Sequence, residues 1–413
     1  MTRTSSGERA LLAMPDFLRL WLAGGIGNAM RWLEMLVTGI FVYDRTGSAF
    51  AVAAVTVART LPMLLLGALA GVLADAVSRK NLLVGGFVVM TANAAVQAAL
   101  ALSGALQLWH FVACGIVAGV VWASELSVRR RMIGEAVAPH RVAQAVALDA
   151  TTASATRMLG PLAGGIAFET VGIGGAFLIS TAAHVLATVL VLPVAYHQET
   201  RRLGLARVPA EIAEGLAVVR SRRLILGVIV VTIVMNMFAF SYSALIAPIA
   251  IGAFDVSPAL VGLLAAAEPI GALIAGFAIA TGFYRGDRAQ TFVSGALLFL
   301  AALAATAFAP WYGLAVALLL VGGLGTAAFG SMQSTLIITE APAATRSRVM
   351  GVVTMCIGTG PLGVLAIGTL SDTIGPMRAM LAMALAGIAL LLLARSLWPR
   401  TPDPLAAERR AHD

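Results

Sequence analysis

The sequence predicts an all-α polytopic membrane protein, with twelve transmembrane helices in two six-helix repeats. Three observations carry that prediction. The 413 residues are 60% hydrophobic and only 12% charged, with a mean hydropathy of +0.92. A soluble domain carries about twice that share of charge. Apolar runs of about 20 residues, the length that crosses a bilayer, recur along the chain. Short stretches of the first half also reappear in the second at a near-constant offset.

The elements follow in order. Residues 1–16 are polar and mixed, and Pro15 and Asp16 precede the first apolar run, so a tail without a cleavable leader is expected. Apolar runs then fall at 17–43, 50–73, 81–103, 107–128, 143–168, 174–196, 224–251, 258–283, 290–309, 313–338, 349–371 and 376–398. The first six form an N-terminal half, 17–196. A linker, 197–223, contains "PAEIAEGLAVVRSRR", with Glu211 and Glu214 early and Arg220, Arg222 and Arg223 late. That order of charge suits the dipole of a short helix. The last six runs form a C-terminal half, 224–398, and residues 399–413 form a second tail.

An even number of spans puts both termini on one side, and the bases say which. Of 28 Lys and Arg, 23 fall on the terminal side, Arg45 and Arg378 fall on the other, and Arg31, Arg59 and Arg157 lie within spans. The termini are therefore expected in the cytoplasm. The net charge of +8 expresses that sidedness and the anionic inner leaflet. No soluble domain gathers the bases for nucleic acid.

Other chemistries lack their residues. Cys114 and Cys356 lie in separate apolar runs and are expected as buried thiols. The five histidines are scattered without metal-ligand spacing, and Lys80, the only lysine, follows no phosphate-cradling glycine loop. No metal, cofactor or enzymatic activity is expected. An ATP-driven pump and a receptor with a soluble output domain are disfavoured on the same grounds.

The repeat has two markers. Gly67-Ala68-Leu69 matches Gly271-Ala272-Leu273 at an offset of 204. "GPLAGGIAFETVG" (160–172) and "GPLGVLAIGTLSDTIG" (360–375) share Gly-Pro-Leu at an offset of 200. A parallel repeat of six helices fits a transporter whose substrate site lies between the halves.

Between the second and third runs the chain reads "GVLADAVSRK", from Gly71 to Lys80. It resembles the signature turn of the major facilitator superfamily, matched at Gly71, Asp75, Arg79 and Lys80, with Ser78 where that pattern has glycine. "VYDRTGSAFAVAAVTVARTLP" (42–62), "LGPLAGG" (159–165) and "EGLAVVRSRRLI" (214–225) resemble a bacterial exporter branch with enterobactin-exporter-like and macrolide-efflux-like members. The resemblance implies a monomeric secondary transporter in the bacterial plasma or inner membrane. Its expected action is proton-coupled export of amphipathic or apolar small molecules, drug-like or siderophore-like, by alternating access. Uptake or facilitated exchange of a small metabolite is the other reading. The resemblance also implies that Asp75 latches onto the start of the eleventh span, near Arg348. The alternative is a solvated turn whose charges only enforce topology.

Charges within spans are the candidate site, because an ion at mid-bilayer costs about 2.5–3.5 kcal/mol on insertion scales. In the first span Gly24, Gly27, Arg31, Glu34 and Thr38 share one helical face, with Asn28 beside them. Arg31 and Glu34, three apart, are expected to pair, either as a structural brace or as a substrate- or proton-responsive pair in a cavity. Glu268 has no nearby base in sequence; it is a proton carrier or a buried neutral carboxyl. Asp149 shares a face with Thr156 and Gly160, and Arg157 is turned somewhat away. Arg59 is read as bonding carbonyls freed by Pro62, and Glu125 with Arg129 as an interfacial pair. Gly160, Pro161, Gly164 and Gly165 form a kinked, close-packing segment, which ordinary helix packing explains as well as coupling does.

Overall fold

The computed structural model describes residues 11–196, 208–281, 287–342 and 345–397. Residues 1–10, the start of the linker at 197–207, residues 398–413 and the side chains of residues 67–76 lie outside the described residues. Among those described there is no strand.

Helices α1 (Pro15–Thr46), α2 (Ala49–Ala76), α3 (Arg79–Leu102) and α4 (Leu108–Glu135) are joined by short turns. Helix α5 (Val142–Val191) is two spans in one: Gly172, at φ 69° and ψ 179°, breaks it into two limbs. Only glycine enters that region of backbone at little cost. Helix α6 (Val208–Ser221) belongs to the linker, and Arg348 anchors it to the C-terminal half through Glu214 at 2.5 Å. The seventh span starts as α7 (Arg223–Val234), widens to a π turn at Met235–Ala239, tightens over Phe240–Leu245, and resumes as α8 (Ile246–Gly252). Then come α9 (Pro258–Ala280), α10 (Arg288–Thr306) and α11 (Tyr312–Glu340). The eleventh span is broken into α12 (Arg346–Ile357) and α13 (Gly360–Ile374), and α14 (Pro376–Leu393) is the last.

Among the described residues, ten segments are long and apolar enough to cross a membrane. The two limbs of α5 are merged in that set, and α1 is absent from it because Asp16, Arg19, Arg31, Glu34, Asp44 and Arg45 dilute its hydropathy. Separating the limbs and adding α1 restores twelve spans. Large apolar side chains cover the outside, among them Leu65, Phe277, Phe308 and Leu393. Trp109 and Trp311 are exposed at the starts of α4 and α11, where indole rings suit a membrane interface.

Packing sorts the spans into two halves. Trp21 bonds Thr152, and Gly160 and Gly164 seat on Trp32 and Leu33, so α1 and the first limb of α5 run parallel. One end of the bundle, called proximal below, holds the start of α1; the distal end holds Thr46. The C-terminal half has one continuous apolar core, including Phe292, Phe299, Leu300 and Val261. The N-terminal half has two. A proximal cluster contains Phe17, Leu83, Phe87 and Met132, and a distal one Leu33, Val37, Phe111 and Phe177. A layer of buried polar side chains separates them.

Candidate transport cavity

That polar layer is two ion networks inside the N-terminal half. In the first, Arg31 donates to Glu125 Oε2 at 2.5 Å and to Asn28 Oδ1 at 2.8 Å, and its guanidinium lies 4.9 Å from the Trp122 ring centroid. Asn28 donates in turn to Thr156 Oγ1 at 2.5 Å. Arg129 pairs with Asp149 and lies 3.8 Å from Glu125. These groups tie α1, α4 and α5 together. In the second network Glu34, fully buried, accepts from Arg59 at 2.9 Å and from Ser180 at 2.6 Å, with His184 4.0 Å away.

The expected Arg31–Glu34 pair is therefore not formed. Three residues of helix rotate the two side chains apart by about 60°. Arg31 then reaches α4 and Glu34 reaches α2 and the second limb of α5. Arg59 answers Glu34 rather than the carbonyls near Pro62. Glu125 and Arg129 are mainly partnered elsewhere, within the half.

Between the halves lies a cavity of about 80 Å³. Its walls include Trp32, Met35 and Leu36 of α1, Arg157 and Pro161 of α5, and Glu268 of α9. The irregular part of the seventh span supplies Tyr242, Ser243 and Ala244. Departures from regular helix at membrane depth are tolerated where they line such a cavity. The sequence shows no basic partner near Glu268. In the structure Arg157 Nη2 of the N-terminal half donates to Glu268 Oε2 of the C-terminal half at 2.6 Å. Glu268 Oε1 is buried with no hydrogen-bond partner, and the Arg157 guanidinium stands 5.7 Å from the Trp32 ring centroid. Of the six candidate residues, only Arg157 and Glu268 line this cavity; Asn28, Arg31, Glu34 and Asp149 do not. Thr38 faces a separate pocket within the N-terminal half.

Distal to the cavity the halves are shut. Gly165 leaves no room for a Cβ against Ala259 and Gly262, each with its Cα 3.1 Å from where that carbon would stand. Gly160 and Gly164 pack on α1, within their own half. Two carboxylates then cap helices across the boundary. Glu169 Oε2 accepts the amide of Ala259, at the start of α9, at 2.8 Å. Asp372 accepts the Ser48 hydroxyl at 2.6 Å and the amides of Ala49 and Phe50, at the start of α2, at 2.7 and 3.3 Å. Sequence reading missed both, although the signal was present. Glu169-Thr170-Val171-Gly172 repeats as Asp372-Thr373-Ile374-Gly375, and both glycines have positive φ.

At the proximal end Gly71 falls in the last turns of α2 and the Asp75 side chain lies outside the described residues, so the expected latch is undescribed there. Arg79 is buried and donates to Glu135 at 3.0 Å and to the Tyr196 hydroxyl at 2.7 Å, within its own half. Lys80 is half-buried.

Two six-helix bundles meeting around a central cavity define a membrane transporter of the major facilitator type. The chain belongs to the transmembrane secretion effector family of that superfamily, matched over residues 6–408. Among solved structures it is similar to a point mutant of the nucleoside transporter NupG, with TM-score 0.75, 12% identity, and coverage of 93% of this chain and 100% of that one. It is also similar to a bacterial homolog of the human lysosomal transporter Spinster in an inward-facing, unoccupied conformation, with TM-score 0.72, 14% identity, and coverage of 94% and 100%. A D-xylose-proton symporter aligns with TM-score 0.68, 17% identity, and coverage of 94% and 97%. At these identities the likeness is one of fold. No curated protein matches the sequence.

Proposed function

We propose that the chain is a secondary active transporter that exports amphipathic or apolar small molecules in exchange for protons. It acts as a monomer in a bacterial plasma or inner membrane, with the proximal side and both termini in the cytoplasm. The observation that carries this reading is the Arg157–Glu268 pair. Each half contributes one charge, and the two meet at 2.6 Å in the cavity wall. A proton on Glu268 cancels the attraction, and the halves lose an ion pair that joins them in the distally closed state. Trp32, Met35, Leu36, Pro161 and Tyr242 supply apolar surface around that pair, which suits an amphipathic cargo.

In this orientation the distal caps close the outer side and leave the cavity to load from the cytoplasm. Asp75 takes the reciprocal part, capping the start of α12 near Arg348 when the inner side closes.

The test uses purified chain in lipid vesicles with an imposed pH gradient and a hydrophobic fluorescent dye as cargo. Glu268→Gln is expected to abolish gradient-driven accumulation and to retain dye counterflow without a gradient. Wild-type accumulation by that variant would reject Glu268 as the coupling group.

A further inference from the structure

At the proximal end of the N-terminal half a recess of about 350 Å³ opens between the start of α1 and the loop that joins α4 to α5. Met14, Asp16 and Phe17 stand on one wall, and Ala138, His140 and Arg141 on the other. Both walls lie just before apolar runs, those that begin at about residues 17 and 143, so the recess sits at the level of a membrane surface.

Its lining joins an apolar base to charges of both signs. Phe17 is buried in the proximal apolar cluster, and Met14, half-buried, packs against the same cluster. Leu12, on the preceding turn Leu11–Ala13, is 51% exposed and adds an apolar step beside them. Asp16 brings a negative charge and Arg141 a positive one, with His140 as an exposed second base. The Arg19 guanidinium donates to Asp16 Oδ1 at 3.3 Å, but both side chains are more than a third exposed, so this surface pair holds Asp16 weakly. Arg141 is also engaged within the protein, and its five N–H donors leave capacity for a phosphate.

We propose that the recess holds one zwitterionic phospholipid whose head group ends in a primary ammonium. The phosphate lies against Arg141 and His140, the ammonium donates to Asp16, and the glycerol with the upper acyl chain covers Met14 and Leu12. Each charge of the head group then meets its opposite. A glycerol head group leaves Asp16 facing an anion with no cation between them, and a choline head group has no N–H to donate. The apolar base selects a lipid over a free phosphate ester. The site needs only that the proximal end meet a membrane surface, and it does not depend on the direction or coupling of transport.

The experiment places a thiol in the recess, with Ala138→Cys in full-length chain lacking Cys114 and Cys356. N-ethylmaleimide labelling is followed in nanodiscs of phosphatidylcholine, alone or doped with phosphatidylethanolamine or phosphatidylglycerol. A further arm adds soluble phosphoethanolamine to the phosphatidylcholine discs. Phosphatidylethanolamine alone is expected to slow labelling. Asp16→Asn and, separately, Arg141→Gln are each expected to raise the amount of that lipid needed for half protection about tenfold, the effect of one charge-assisted hydrogen bond. No protection by phosphatidylethanolamine, or equal protection by phosphatidylglycerol, would overturn the proposal. So would half protection unmoved in both variants. Protection by soluble phosphoethanolamine as strong as by the lipid would reject a lipid site in favour of a free phosphate ester. The head-group comparison is made without either charge variant, so failure of one to fold leaves it decisive.

Discussion

Asp372 of the C-terminal half holds the first turn of α2 in the N-terminal half: its Oδ1 accepts the amide of Ala49 at 2.7 Å. Glu169 does the reverse, holding the first turn of α9 through Ala259. Each half thus offers a carboxylate to a helix N-terminus of the other, where unpaired amides and the helix dipole favour an anion.

Removing one cap is expected to loosen the distal side. Asp372→Ala loses a capping interaction of about 1 kcal/mol, which changes an equilibrium about fivefold. Cysteine at Ser243, in the cavity wall, should then react about that much faster with an impermeant thiol reagent applied from the distal side. An unchanged rate would show that the cap does not hold the closure.

Gly165 is expected to be intolerant of bulk for a conformational reason. A valine there would meet the backbone of Ala259 and Gly262 across the boundary between the halves. Overpacking of that kind costs about 1–3 kcal/mol, and here it falls on the distally closed state alone. Gly165→Val should lose most vesicle transport while its melting temperature stays near that of the wild type. Full transport would contradict close approach at this point.

The two ion networks predict which double-mutant cycles couple. Breaking a buried pair by removing one partner typically costs about 3–5 kcal/mol. Arg31→Ala with Glu125→Ala, and Arg59→Ala with Glu34→Ala, should each destabilise by less than the sum of the singles, by about 0.5–3 kcal/mol. Arg31→Ala with Glu34→Ala should lie much closer to additivity. Thermal unfolding of the purified chain measures all three, and strong coupling confined to Arg31–Glu34 would refute the assignment.

The architecture was legible because bilayer length and hydropathy are one-dimensional signals. The Gly-Pro-Leu repeat at 160 and 360 marked corresponding helices of the two halves. Charge partners were not legible, because they depend on which helices face each other. Arg157 and Glu268 are 111 residues apart, and nothing local marks them as neighbours. Arg31 and Glu34 misled for the same reason: shared face in sequence gave way to better partners on α4 and α2. The irregular seventh span was also hidden, since "MNMFAFSYSALIAP" reads as one apolar run. Its departure from regular helix is what brings Tyr242 and Ser243 to the cavity.

The most direct test of the gating role of Arg157 and Glu268 is a distance measured across the distal side. Spin labels on cysteines replacing Asp44 of α1 and Thr373 of α13, in a chain lacking Cys114 and Cys356, report the separation of the halves by double electron–electron resonance. Wild-type chain should show a dominant short distance. Glu268→Gln should move population into a longer distance, because the ion pair that joins the halves in the distally closed state is gone. Identical distance distributions for the two chains would contradict the proposed gate.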